Sequence, residues 1–381
     1  MADMDRDINS YWEQDALQDI DCLIIGGGMI GLLTALEWRD THPHDRIAVL
    51  ERGMVPTGAS TRNAGFACFG SLTELLSDIS TVGIQATVDL VARRWQGLAR
   101  LRKRVNDHAM ALESHGGFEL LNATQLPALT HLPLINAALH PLFGEDVFIL
   151  DPEALAQAGF GSHIHALIRN RFESQIHPGR LMQALAQHAS VQHIAVYNGA
   201  LVSSIDDRKT HVVTTIANSG HERVLHARRV ALCTNALTSK LAPTIEIAPA
   251  RGQILITEPI ADLPWRGCYH FEQGFYYFRN VGNRILLGGA RHLDLDNERT
   301  DALILTDVIQ TALENFLTTV VIPGKRVVVA QRWAGTMGFT KDKQPIVKKL
   351  SENVVVGFGC NGMGVALGGD IASSTAAMLD T

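Results

Sequence analysis

Cysteine is scarce and scattered in this 381-residue chain: Cys22, Cys68, Cys233, Cys268 and Cys360 are five in number and never spaced as CxxC. That pattern excludes a disulfide framework and a zinc ribbon, and it fits a reducing, cytoplasmic setting. Basic charge is also short, 33 Lys and Arg against 39 Asp and Glu for a formal net charge of −6. The chain therefore has no electrostatic footprint for nucleic acid or an acidic membrane surface, and a small molecule is the expected partner. No uninterrupted apolar run reaches the roughly 18 residues a membrane-spanning helix needs. The opening "MADMDRDINSYWEQDALQDID" is acidic and lacks the basic end and apolar centre of a signal peptide. The HxH pair His163 and His165 has no carboxylate ligands nearby, so no metal site is expected.

What is present is an ordinary globular composition, 46% hydrophobic and 19% charged, in a chain long enough for two units with sizeable cores. Its strongest local signal is "IIGGGMIG". An apolar run at 21–25 ends in glycines, 32–38 has helical character, and a second apolar run at 47–50 ends in Glu51. Strand, turn, helix and strand in that order make one βαβ unit. Gly26, Gly28 and Gly31 stand in GxGxxG spacing. The first glycine permits a tight turn, the second lets the backbone approach a pyrophosphate, and the third packs helix on strand. Phosphates then meet the positive helix start. Glu51 follows the last glycine by 20 residues, where a carboxylate binds ribose hydroxyls. The spacing predicts a dinucleotide site, for NAD or FAD.

After a polar, glycine-rich loop, "GASTRNAGFACFG", apolar residues recur at Ile84, Val88, Val91, Trp95, Leu98, Leu101 and Val105. Those steps of three and four predict an amphipathic helix, whose other face, with Arg93, Arg94, Arg100, Arg102, Lys103 and Arg104, reads as solvated. From about 118 short runs take over, and "HPGRLMQALAQHA" reads as a helix with proline near its start. The runs "VSSIDD", "HVVTTIAN", "ARRVALCT", "RGQILITEP", "FYYFRN" and "RILLGGA" read as antiparallel strands with polar turns. A helix at about 301–317 precedes "KRVVVAQRWAG", and the tail "VVVGFGCNGMGVALGGDIASSTAAML" is again strand, glycine turn, helix. The order predicts an α/β, or α+β, two-domain fold. Residues 1–70, 175–240 and 328–381 form a discontinuous dinucleotide-binding domain; 71–174 and 241–327 form an antiparallel-sheet substrate domain.

These stretches, with "RWAGTMGFTKDKQPIV" and "GFGCNGMGVALG", resemble in content and order the D-amino acid oxidase-like family of FAD-dependent oxidoreductases. That family includes glycine oxidase, sarcosine oxidase and γ-glutamylputrescine oxidase. The resemblance runs from about Ser10 to the C-terminus and implies a Rossmann-like FAD domain in a p-hydroxybenzoate hydroxylase or glutathione reductase-like fold. It implies that Gly26, Gly28, Met29, Ile30 and Gly31 hold the pyrophosphate and that Glu51, with Arg52 beside it, holds the adenosine ribose. Ser60, Thr61, Arg62, Asn63 and Ala64 would run toward the ring, leaving Gly65 and Phe66 beside it, and Val202 would hold the adenine through its backbone. Asn361, Gly362, Met363, Gly364 and Val365 resemble the segment whose amides approach the flavin O2 and N1.

Three departures from the family pattern stand out. The carboxylate-binding Arg of glycine oxidase is replaced by Met337. The Cys through which sarcosine oxidase tethers its flavin falls at Gly335 or Thr336, which implies non-covalent FAD. The oxygen-activating Lys falls near Leu286, leaving O2 or another electron acceptor open. The resemblance implies hydride removal from the C–N bond of a small amine or amino-acid derivative, giving an imine that hydrolyses. An FAD-dependent 2-hydroxy acid dehydrogenase and a flavin-binding protein without catalysis are the alternatives. An NAD(P)-linked reductase would carry a second GxGxxG, which "VALCTNALTS" is not. Candidate substrate contacts are Tyr277 and Arg279 on one strand face, Tyr276 on the other, Arg332, Met337, Phe66 and Cys68. Cys68 reads as an apolar filler, and His292, beside Arg291, reads as a loop residue.

Overall fold

The computed structural model describes residues 10–208, 210–218 and 221–381. Its first sheet grows from the strand Ile20–Ile25, which pairs in parallel with Ile47–Glu51 on one side and His221–Leu232 on the other. The parallel strands Ala195–Asn198 and Val354–Phe358 extend it, and Ile346–Lys349 closes one edge antiparallel. "IAVLE" and "VVVGF" are buried at every position, as strands covered on both faces of a parallel sheet must be. The helices Met29–Thr41, Ile84–Arg104, Pro178–Val191 and Gly364–Leu379 cover one face through Leu33, Leu36, Leu98, Leu101, Leu185 and Ala372. The other face packs on the meander of Leu201–Asp207, Val212–Asn218 and the first half of His221–Leu232, through Val202, Ile216 and Leu225. This is the Rossmann-like unit that the glycine turn predicted.

The arginine face of Ile84–Arg104 is solvated only in part: Arg100, Arg102 and Lys103 are exposed, and the other three are engaged with the rest of the protein. Arg94 is 1% exposed and donates to the Phe69 carbonyl at 2.8 Å. Arg93 pairs with Asp370 at 2.8 Å, and Arg104 pairs with Glu37 at 2.8 Å and Asp40 at 2.5 Å. The face is charged because it docks against two other helices. Gly97 and Gly369 let Ile84–Arg104 and Gly364–Leu379 touch backbone to backbone, since a Cβ at either would overlap the opposing carbonyl oxygen.

The second sheet has eight strands in the order Val329–Phe339, Ala248–Thr257, Arg284–Gly289, Tyr276–Val281, Cys268–Phe271, Gly117–Asn122, Ile164–Asn170 and Ile149–Leu150. Val329–Phe339 pairs along Ala248–Thr257 from Phe339 opposite Ala248 to Val329 opposite Thr257. Residues 329–339 therefore lie in this sheet rather than in the Rossmann-like one, because their alternating pattern finds its hydrogen-bond partners there. One sheet face buries Tyr276, Phe278 and Leu287 against Phe316 of the helix Asp307–Phe316. That helix begins six residues later than the pattern at 301–317 suggested. The backbone amide of Thr306, its N-cap, donates to Gln253 Oε1 at 3.0 Å.

A buried ion pair ties the strand Ala248–Thr257 to the turn ahead of that helix. Arg251 meets Glu298 through Nε–Oε2 at 2.9 Å and Nη2–Oε1 at 2.5 Å, and Gln253 donates to the same Oε1 at 2.9 Å. The side chains are 2% and 1% exposed. Removing one partner of such a pair strands the other charge in a dry site. Glu298→Ala is expected to cost about 3–5 kcal/mol, read as a lower urea midpoint with an unchanged slope.

Candidate functional site

The two sheets face each other across one cavity of about 770 Å³. Its floor is the glycine turn. Gly26 sits at φ +111°, and a Cβ there would lie 2.6 Å from the Cys233 carbonyl oxygen. A Cβ at Gly31 would overlap the Gly26 carbonyl oxygen, so the helix Met29–Thr41 approaches its strand only because both residues are bare. The N-cap of that helix, Gly28, has no side chain to cap it, and the first amide, Met29, donates instead to Ser60 Oγ at 2.9 Å. Glu51 is buried at the end of the second strand. Its Oε2 accepts from the Gly27 amide at 3.1 Å and its Oε1 from the Gly53 amide at 2.9 Å, which fixes the carboxylate at the cavity edge beside Arg52 and Val202.

The loop after it is held in one shape by its own side chains. Asn63 accepts from the Gly65 amide at 2.8 Å and donates to the carbonyls of Ala59 and Ser60 at 3.0 and 2.9 Å. Arg62 donates to Thr57 and Ala334 carbonyls at 2.9 and 2.8 Å, and Trp333 Nε1 donates to the Arg62 carbonyl at 3.0 Å. At the opposite end of the chain, Asn361 and Gly362 take left-handed φ values of 50° and 88°. Asn361 Oδ1 accepts from the Thr340 amide at 2.8 Å. The turn aims the uncapped start of Gly364–Leu379 at the same cavity, where Met363, Gly364 and Val365 line it.

The facing wall comes from one side of the second sheet. His270 pairs with Tyr277, Tyr277 with Gly288, Gly288 with Ile254 and Ile254 with Trp333. Gly288 is bare because the Tyr277 ring lies over it, and a Cβ would come within 2.5 Å of that ring. Gly252 leaves room in the same way for Met337, 3.1 Å from where its Cβ would be. Phe66 completes the wall with edge contacts to His270 and Tyr277 at 5.3 and 5.7 Å between centroids. Burial pushes the Tyr277 phenol up to about 12, so the hydroxyl keeps its proton.

Of the expected cofactor residues, all but Gly31 and Thr61 line the cavity. Gly31 acts on helix packing, and Thr61 donates to the Pro56 carbonyl at 2.8 Å. Tyr277, Met337, Phe66 and Cys68 line it as well. Burial raises the Cys68 thiol well above its ordinary value, in keeping with a filler. Tyr276 turns to the core, stacked on Phe316 at 4.3 Å. Two expected substrate contacts lie elsewhere. Arg279 does not line the cavity; its guanidinium donates to the carbonyls of Ala64 at 2.5 Å and Ile176 at 3.0 Å, behind the loop. Arg332 points to the helix Asp307–Phe316, donating to Gln310 at 2.6 Å and pairing with Glu314. Its strand neighbour Trp333 takes the opposite sheet face, where it packs against the loop at Arg62 without lining the cavity.

Among the lining residues not singled out as substrate contacts from sequence are Glu74, Arg94, His270, Arg291 and Lys343. Arg291 opens a short 3-10 turn and lies 4.7 Å over the Phe339 ring, with burial holding its guanidinium below the usual value. His270 is legible afterwards as the residue opposite Tyr277. Burial opposes its protonation, but Glu173, Glu74 and Glu119 outweigh it and raise its pKa. Cys68, Glu173 and His270 also bring one ligand atom each within 4.8 Å of one another. Glu173 Oε1 already accepts from the Phe69 and Gly70 amides at 3.1 and 3.4 Å.

Residues 21–378 match the family model described as FAD dependent oxidoreductase, DAO. The probable oxidoreductase OrdL of Haemophilus influenzae is 23% identical over 371 residues, 93% of this chain and 81% of that protein. Among solved structures, L-proline dehydrogenase from P. horikoshii superposes with a TM-score of 0.76 at 17% identity, covering 94% of this chain and 93% of that one. Glycine oxidase from Geobacillus kaustophilus gives 0.75 at 18% identity, covering 96% and 95%. At those identities the two structures speak for the fold. No described helix is long and apolar enough to cross a membrane.

The Arg279 clamp has a measurable consequence. Arg279→Gln leaves two buried carbonyls short of a charged donor, a loss of about 2–4 kcal/mol at roughly 1–2 kcal/mol for each bond. Urea denaturation is expected to show that loss, together with faster proteolysis near residue 64.

Proposed function

Because the chain belongs to the DAO family of FAD-dependent oxidoreductases, we propose that its cavity holds FAD non-covalently and oxidises the C–N bond of a small amino acid or amine. The observation that carries this reading is the meeting of two helix starts whose N-cap residues, Gly28 and Met363, make no capping hydrogen bond, with a buried carboxylate at Glu51 in one continuous cavity. Free amides and positive helix ends suit a pyrophosphate and an anionic ring edge, and the carboxylate suits ribose hydroxyls. In this reading Gly26, Gly28, Met29 and Ile30 hold the pyrophosphate, Glu51, Arg52 and Val202 the adenosine. Residues 60–66, Gly335 and 361–365 hold the ring. Residues 1–70, 175–240 and the segment after 339 would form the FAD-binding unit, and the second sheet with its helices the substrate unit. Gly335 and Thr336 offer no thiol for a covalent tether.

Bound there, FAD supplies the acceptor for a hydride from carbon next to nitrogen. The chain's own task is to position the substrate, keep water out and hold its charged groups. Phe66, Ile254 and Tyr277 form an apolar wall, with the Tyr277 hydroxyl as a donor in it. Met337 is apolar where glycine oxidase carries its carboxylate-binding Arg. Phe339 follows it by two residues and so shares its strand face, and Arg291 lies over Phe339. Arg291 therefore brings a guanidinium to that end of the wall from a different strand, and it is the residue we assign to a substrate carboxylate.

Anaerobic mixing of the yellow protein with a panel of amino acids, primary amines and 2-hydroxy acids tests the reaction. Bleaching of the flavin band by an amino acid or amine is the expected result, and bleaching by hydroxy acids alone would sink the reading. Arg291→Gln is expected to raise KM for a carboxylate-bearing substrate about 10- to 100-fold, as for loss of a charged hydrogen bond of roughly 1.5–3 kcal/mol. The KM of an amine without a carboxylate should stay put.

A further inference from the structure

The cavity continues past the sheet wall into a niche built by the helix Leu72–Val82, the strand Cys268–Phe271 and the turn after it. Glu74, Ser77, Arg94, His270, Gln273, Gly274 and Lys343 line it. Glu74 projects from the helix toward Gly274 and His270, and its Oε2 is buried with no hydrogen-bond partner. His270 is 5% exposed, and its Nε2 makes no hydrogen bond but lies 3.8 Å from Glu173 Oε2. Arg94 Nε and Asp78 Oδ2 are likewise buried without a partner, while the remaining polar atoms around them are engaged. Glu119 accepts from the Ser71 hydroxyl at 3.0 Å and from Thr73, Arg94 Nη1 donates to the Phe69 carbonyl, Lys343 pairs with Asp78, and Glu173 accepts two amides. Four carboxylates, Glu74, Asp78, Glu119 and Glu173, thus face two permanent cations, Arg94 and Lys343, and one histidine. Even with His270 protonated the niche is short of positive charge, and of the two carboxylate oxygens left there without a hydrogen bond, Glu74 Oε2 is the one on a residue that lines the cavity.

A buried carboxylate without a partner is costly unless something supplies a donor and a charge. Burial pushes the Glu74 carboxyl above its usual range, although the charge of Arg94 pulls it the other way. The niche is too polar for an alkyl tail. A carboxylate guest would add a fifth negative group.

We propose that Glu74, with His270 at its side, is a binding site for an alkylammonium group of the substrate, so that substrates enter with their carboxylate toward Arg291 and a cationic nitrogen toward Glu74. This rests on the cavity's being the substrate site, and it makes the preferred substrate one that carries both charges. The ammonium is either that of the reacting carbon, before it loses its proton, or a second one farther along the chain. The two sources share one chemistry at Glu74.

The test uses the FAD-loaded protein and n-butylammonium, a cation with no carboxylate, titrated while the flavin absorption band and the heat of binding are followed. Binding to the unmodified protein is expected to be at least tenfold tighter than that of pentan-1-ol, to weaken as pH falls through the Glu74 titration, and to weaken at least tenfold in Glu74→Gln. Glu74→Asp, which keeps the charge on a shorter stem, should fall between. Equal affinity for the cation and the alcohol, or an unchanged affinity in a folded Glu74→Gln, overturns the proposal. The cation-to-alcohol comparison needs no variant. Steady-state rates then separate the sources: a preference for diamino acids over their monoamino analogues that disappears in Glu74→Gln indicates the distal nitrogen. An equal rise of KM for both indicates the reacting one. If n-butylammonium binds through Glu74 while no amine bleaches the flavin, the cation site stands and the oxidation falls.

Discussion

The close approach of the helix Met29–Thr41 to the strand before it is the constraint on which the rest of the site depends. Gly31 lies against the Gly26 carbonyl, where no side chain fits, and Gly26 itself lies against Cys233 of the neighbouring strand. With those two positions bare, the helix start stands open at the end of the sheet and its first amides face outward. The next strand then delivers Glu51 to a fixed place, held by the amides of Gly27 and Gly53. The C-terminal helix, packed on the same face of the sheet, repeats the device. Its crossing with Ile84–Arg104 is set by Gly97 and Gly369, so a packing contact far from the cavity decides where the second helix start points.

The second sheet does more than form a wall. Arg279 and Trp333, from two of its strands, hold the carbonyls of Ala64 and Arg62. Arg62 returns the contact to Ala334. The loop that would lie along the cofactor is thus fixed by residues of the unit that would bind substrate, and the two halves of the site are coupled through buried hydrogen bonds.

The glycine turn, Glu51 and the alternation in "FYYFRN" were legible because each rests on local backbone geometry or on a period of two or 3.6. Alternation placed Tyr277 and Arg279 on one face correctly. It did not reveal that the loop at Ala64 covers the farther of the two, turning Arg279 into a clamp. Arg332 lies on the sheet face turned to the helix Asp307–Phe316, while its neighbour Trp333 packs on the loop at Arg62. Arg94 was hidden because a helix face rich in arginine looks solvated until another helix is laid on it. Glu74, His270, Arg291 and Lys343 come from four separate elements and meet only through the tertiary fold. Met337 read as a missing function, and Arg291, supplied by a turn from another strand, shows why a single position was too narrow a place to look.

The charges of the site follow from the same arrangement. Two helix starts make the central cavity electropositive, Arg291 adds a desolvated cation at one end of the wall, and Glu74 and its neighbours make the far niche acidic. That gradient favours an anionic cofactor in the middle and a dipolar molecule beside it. The most direct measurement is the identity and attachment of the bound group. Acid precipitation of the purified yellow protein should release all of the flavin into the supernatant as FAD, with Gly31→Ala purifying nearly colourless. A wild-type protein that binds no flavin, or one whose colour stays with the pellet, would contradict the account.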